Sequence, residues 1–184
     1  MKTFIRQVLI FATCISLCSC ASYNVAFVKS PDAISKSGKV YILVKDSVSS
    51  LQYGINSSAY QNDFMKAFSA SISDALNRSG IKNTIKIRSN VYSLENDDDI
   101  NLQIKAYGPD AIMSIKREQS TLASGKYGSY YNGGIYTICL SVPGAKGPYW
   151  KAVVQAFNET YSGADDYTAL AKQIIDKLKA DGVI

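Results

Sequence analysis

The stretch Lys39-Val40-Tyr41-Ile42-Leu43-Val44-Lys45 sets the tightest limit on what this chain can fold into. Five consecutive apolar residues between two lysines have no polar face to offer water, so as a strand they must be covered on both sides. Such a strand belongs inside a sheet, with helices packed on it. The next clear signal supplies one of them. Ser58 and Gln61 have capping-box spacing, and behind them Phe64, Phe68, Ile72 and Leu76 recur every fourth residue, with Met65 and Ala75 widening the stripe. Arg78 suits the negative end of that helix, and Gly80 its left-handed stop. Burying the four large side chains is worth roughly 6–12 kcal/mol gross, at about 1.5–3 kcal/mol each.

The remaining elements follow from the same periodicities. Residues 84–88 alternate as a half-exposed strand does, and a second helix starts near Asp97-Asp98-Asp99, runs through Ile100 and Ile104, and stops at Tyr107-Gly108-Pro109. An apolar strand spans 111–115. A further strand alternates Tyr136, Ile138, Leu140 and Val142 against Ile135, Thr137, Cys139 and Ser141. After the turn at 143–148 comes a strand from Tyr149 to about Thr160. Ser162 and Asp165 then open a last helix with Tyr167, Leu170, Ile174 and Leu178 as its stripe and Gly182 as its stop. The fold class expected is α+β: a single two-layer or three-layer domain whose mixed sheet follows the order β-α-β-α-β-β-β-α. The first strand-helix-strand unit should be parallel and right-handed, and the last three strands an antiparallel meander. Residues 116–134 read as a long polar excursion, and residues 23–28 could form a short edge strand.

Composition excludes most chemistry. The chain has no histidine, which removes His-dependent triads and most zinc sites. Asp97, Asp99 and Asn101 open like a calcium loop, but Leu102 stands where glycine is needed and Gly108 where the bidentate glutamate should be. Acids on a helix amino terminus explain that run without metal. Cys139, mid-strand, has no histidine to make it a thiolate and reads as a small packed residue. Ser124-Gly125-Lys126 lacks the earlier glycine of a phosphate loop. The sequence thus points to no enzyme, no cofactor and no metal.

Ahead of the domain, Lys2 and Arg6 precede an apolar run over 8–15 that is too short and wrongly flanked to span a bilayer. Leu17-Cys18-Ser19-Cys20 closes it. This resembles the bacterial lipoprotein signal: an aliphatic residue, two small ones, then the cysteine that becomes residue one. Cys18 in the second slot is a mild departure. The resemblance implies that residues 1–19 are removed and that Cys20 carries a thioether-linked diacylglycerol and a third acyl chain on its amine, an anchor that does not let go. Ala21, where aspartate would retain the protein at the inner membrane, implies outer-membrane sorting with the domain facing the periplasm. The other reading is an ordinary secretory leader cut elsewhere, for example after Ala21. The organisation expected is a signal peptide over 1–19, a lipidated tether over 20–38 and one α+β domain over 39–184. The leader holds two of the 20 Lys+Arg and no acid, leaving 18 cations against 15 acids. A net charge of that size does not argue for nucleic acid.

Beyond the leader, a buried strand precedes a helix ending Leu76-Asn77-Arg78-Ser79-Gly80-Ile81. Pro109-Asp110-Ala111-Ile112 enters a strand, Tyr149-Trp150-Lys151-Ala152 starts another, and a helix closes the chain. This layout is similar to small envelope lipoproteins of unknown function and to the amino-terminal α/β domain of the Tol-system propeller protein. The resemblance implies a non-catalytic role, binding another envelope protein or acting in assembly. A glycan- or cell-wall-binding module is the alternative. It would use the Tyr/Gly-rich stretch 125–134, where Tyr127, Tyr130 and Tyr131 either project from a connection or pack back on a long hairpin. Trp150 joins those tyrosines as a candidate binding residue, its other reading being a core or rim anchor.

Overall fold

The computed structural model describes residues 22–30, 36–46, 58–89, 96–126, 128–157 and 164–184. Its strands are β1 (Ser22–Lys29), β2 (Lys39–Asp46), β3 (Lys82–Ser89), β4 (Ala111–Gly125), β5 (Gly128–Ser141) and β6 (Trp150–Phe157). Its helices are α1 (Ser58–Arg78), α2 (Asp97–Tyr107) and α3 (Ala164–Ala180). One mixed six-stranded sheet runs in the order β1-β6-β5-β4-β2-β3. β2 pairs in parallel with both β3 and β4, while β4, β5, β6 and β1 form antiparallel neighbours. The eight elements expected from residue 39 onward occur in the expected order.

β2 is covered on both faces, as its sequence requires. Val40, Ile42 and Val44 lie in the main core with the α1 stripe and with Leu170, Ile174 and Leu178 of α3. Tyr41 and Leu43 point the other way, into a second core with Ile100 and Ile104 of α2. Handedness accounts for this split. The crossover through α1 moves from β2 outward to β3, and the crossover through α2 moves back past β2 to β4. Right-handed crossovers in opposite directions place their helices on opposite faces. Phe64 fixes the α1–sheet–α3 contact, its ring 4.6 Å from that of Tyr136 and 5.3 Å from that of Tyr167.

The possible edge strand within the tether is formed, and the polar excursion departs from the expected organisation. The segment that reads as a tether contributes β1, eight residues paired to β6 from Ser22–Phe157 to Lys29–Trp150. Tyr23, Val25 and Phe27 alternate onto the main core, enough apolar surface to hold an edge strand. The polar excursion at 116–134 is mostly ladder: β4 runs to Gly125 and β5 starts at Gly128, with register shifts between Arg117 and Gln119 and between Thr121 and Leu122. Backbone pairing, which is indifferent to side-chain polarity, carries these strands past the core. Arg117 continues the inward alternation of Ala111, Met113 and Ile115 and is fully buried, its guanidinium 5.5 Å from the centre of the Tyr136 ring.

The carboxyl ends of the helices follow their sequence signals, with Gly80, Gly108 and Gly182 all at positive φ. Ser58, Gln61 and Ser162 of the expected capping pairs lie outside the described side chains. Asn96 and Asp99 form a reciprocal capping box on α2, and Gly108 closes it in the left-handed conformation. Asp110 ties the entry of β2 to that of β4, its Oδ2 accepting from the amides of Gly38 and Lys39 at 2.9 Å each. Gly133 sits in a tight backbone environment. Its φ is +149°, and a Cβ there would lie 2.2 Å from the carbonyl oxygen of Ala156 on β6. Gly133→Ala should therefore cost about 3 kcal/mol or more, a fall of roughly 6–12 °C in thermal midpoint at this size. Gly147→Ala, where nothing lies within 4 Å, is the matched control and should leave the midpoint nearly unchanged in the same calorimetric comparison.

Candidate functional site

The candidate residues of the sequence do not converge. Trp150 lies at the end of the sheet where β6 begins, 1% exposed, opposite Leu140 on β5 and Lys29 on β1. Its indole Nε1 donates to Asp181 Oδ2 at 2.9 Å, and Phe27 packs against its ring at 5.7 Å. Lys177 Nζ donates to the other carboxylate oxygen at 2.6 Å, and Lys29 Nζ to the Asp181 carbonyl at 2.6 Å. Trp150 is a core anchor that clamps β1, β6 and the end of α3 together, with no ring face left for a ligand.

Tyr130 and Tyr131 belong to the other end. Tyr130 pairs in register with Ala123 and Tyr131 with Leu122, on the β4–β5 hairpin. Tyr127 lies outside the described residues, as does Cys20, and for Tyr130 and Tyr131 the backbone alone is described. The hairpin stretch is therefore a ribbon, and Trp150 is no part of it.

Two further surface features were not visible as sites in the sequence. A groove of about 330 Å³ runs between α1 and α3, floored by Ala75 and Ile175 and rimmed by Arg78, Lys172, Lys179 and Asp176. Lys172 pairs with Asp176 across one helical turn, so the rim keeps a cationic excess. The second feature is the sheet face away from α1 and α3. α2 packs there on β2 and β4, and no described helix covers β5, β6 and β1 on that side. Cys139 sits on this face, partly exposed and in register with Lys151 and Ser114. Burial pushes its thiol up, with Lys151 opposing, so it stays protonated at neutral pH.

Asp181 gives the clamp a pH dependence. The hydrogen bond from Lys177 is the largest influence and that from Trp150 assists; together they hold the carboxyl below its ordinary 3.8 despite the opposing effect of burial. Because the folded value is the lower one, this stability is fully present above 3.8 and is lost as pH falls through the folded value. Asp181→Asn should cost roughly 1.5–3 kcal/mol at pH 7. The gap in thermal midpoint from wild type should narrow as the pH is lowered below 4; a gap of constant size down to pH 3 would mean the charge contributes nothing.

Among the described residues no helix is long and apolar enough to cross a membrane. No protein-family profile matches the chain, and no curated protein sequence does. Solved structures do. The chain is similar to PelC from Paraburkholderia phytofirmans, crystallised as a dodecamer, at 14% identity and a TM-score of 0.52 over 85% of this chain and 97% of that one. It also aligns with lipoprotein GNA1162 from Neisseria meningitidis at 11% identity and a TM-score of 0.41, over 78% of this chain and 99% of that one. TolB from Acinetobacter baumannii aligns at 14% identity and a TM-score of 0.34, over 86% of this chain and 30% of that one. The likeness to PelC is one of fold.

Proposed function

We propose that this chain is a non-catalytic lipoprotein, anchored through Cys20 in the outer membrane with its domain in the periplasm, and that it works by binding another envelope protein or further copies of itself. The observation that carries this reading is where large apolar side chains meet water. Among the described residues three large apolar side chains are exposed: Leu102 on α2 at 63%, Val28 on β1 at 65% and Ile87 on β3 at 43%. The last two stand on the two edge strands of the sheet. An edge strand offers unpaired backbone groups to an incoming strand, and a neighbouring apolar side chain adds burial on contact. Lys29, Lys82, Lys86 and Arg88 on the same strands are the charges that keep such edges from pairing indiscriminately. The dodecameric state of PelC, whose fold this chain shares, supports association as the mode of action.

Mass spectrometry of the mature amino-terminal peptide should find Cys20 triacylated, and Cys20→Ser should lose both the acyl mass and the outer-membrane fraction. Wild type solubilised in mild detergent should migrate as an assembly or retain a protein partner, and Val28→Asp or Ile87→Asp should weaken that association at least about tenfold, the effect of losing roughly 1.4 kcal/mol. A mature chain without acyl mass, or an acylated chain that stays monomeric and retains nothing, would contradict the reading.

A further inference from the structure

We infer that the projecting end of the β4–β5 hairpin is a second membrane contact, seated in the bilayer interface beside the lipid anchor. The inference rests on lipidation of Cys20. Strand register carries it. Ser22 pairs with Phe157, Phe157 with Gly133, and Gly133 with Thr121, so the first residue of β1 shares one row with β6, β5 and β4. Beyond that row β4 and β5 continue alone through four more pairs: Leu122–Tyr131, Ala123–Tyr130, Ser124–Ser129 and Gly125–Gly128. At about 3.4 Å per pair the ribbon overhangs the row by about 14 Å. Cys20 precedes Ser22 by two residues, which span at most about 7 Å even when fully extended. The hairpin therefore reaches about twice as far past this row as the anchor can draw away from it.

The chemistry of the overhang suits a headgroup layer. No acid occurs between Glu118 and Glu159, and the ribbon carries Leu122, Lys126, Tyr130 and Tyr131. Tyrosine gathers at bilayer interfaces because its ring is apolar and its hydroxyl is hydrated, and lysine beside it can keep its ammonium among the headgroups. The acids at this end stand elsewhere. Glu118 precedes the row by three residues on β4 and pairs with Lys116, and Asp97–Asp99 and Asp165–Asp166 occupy the first turns of α2 and α3. They lie off the ribbon, so the hairpin itself brings no acid to anionic lipid.

Tryptophan fluorescence in brominated bilayers tests this with an internal reference. Trp150, the single tryptophan, pairs with Lys29 at the far end of β1. It is therefore about 23 Å along the strand from the Ser22 row. Full-length acylated protein, reconstituted into dibrominated phosphatidylcholine vesicles, should show almost no quenching as wild type. Tyr130→Trp should add emission that loses about half or more of its intensity, as an interfacial indole does. Lys126→Trp, placed in the turn outside the ladder, should behave the same way and covers the case in which the strand variant folds poorly. Quenching of both variants no greater than that of wild type, on protein that floats with the vesicles, overturns the membrane contact and leaves the anchor standing. Unquenched variants that instead bind isolated wall polymer would reassign the hairpin to a glycan and equally overturn it. Protein that fails to float removes the anchor, and the hairpin contact with it.

Discussion

The pairing of β1 with β6 is the interaction on which the arrangement of this protein depends. Without it the sheet would end at β6, and the apolar side of that strand, with Trp150 at its start, would lose its neighbour. With it, Tyr23, Val25 and Phe27 extend the main core by one strand, and Lys29 reaches the last turn of the chain at Asp181. The same segment directly follows the cysteine that reads as the lipid anchor. If Cys20 is lipidated as proposed, a strand that closes the sheet and begins two residues later leaves little slack between membrane and domain. Strand direction, set by the register of a single pairing, then decides which end of the sheet lies nearer the bilayer.

That direction gives the two ends of the sheet different characters. β2, β3, β4 and β6 all run toward the Ser22 row, and each helix begins at that end and returns away from it. The far end holds the fixed structure: the Asp110 bonds to Gly38 and Lys39, the Trp150–Asp181 clamp, and the bond from the Ser37 amide to the Val183 carbonyl at 2.9 Å. The near end holds the helix amino termini, those of α2 and α3 with acids in their first turns, and the long hairpin. Side coverage is unequal as well. α1 and α3 bury one face, and α2 reaches only part of the other, so the outward side chains of β5, β6 and β1 form a face that is neither core nor fully polar.

Much of this was legible from residues alone. The apolar run Val40–Val44 demanded cover on both faces and has it, and the stripes of α1 and α3 meet over it. The inward set Tyr136, Ile138 and Leu140 on β5 is the buried one, and Cys139 lies on the opposite face, as alternation required. What alternation could not reveal was pairing. Residues 116–134 carry no apolar periodicity because most of the ladder there has no core to face, and polar residues pair as readily through their backbones. Arg117 was hidden by its charge, although counting on from Ala111, Met113 and Ile115 reaches it. β1 showed its alternation at Tyr23, Val25 and Phe27, but an edge strand is specified by its partner, and Trp150–Phe157 lies more than 120 residues later. Trp150 stood in the sequence as both a core or rim anchor and a candidate binding residue, because residue type says nothing about which end of a sheet a side chain occupies.

Native-state amide hydrogen exchange of residues 22–29 in the full-length protein tests most directly whether this segment belongs to the sheet. If β1 is bound to β6, every second amide from Ser22 to Lys29 should be protected to within about an order of magnitude of the β6 amides, since edge and neighbour open together. Exchange across 22–29 at the rate of an unstructured chain, with β6 still protected, would contradict it and would make the segment a free tether.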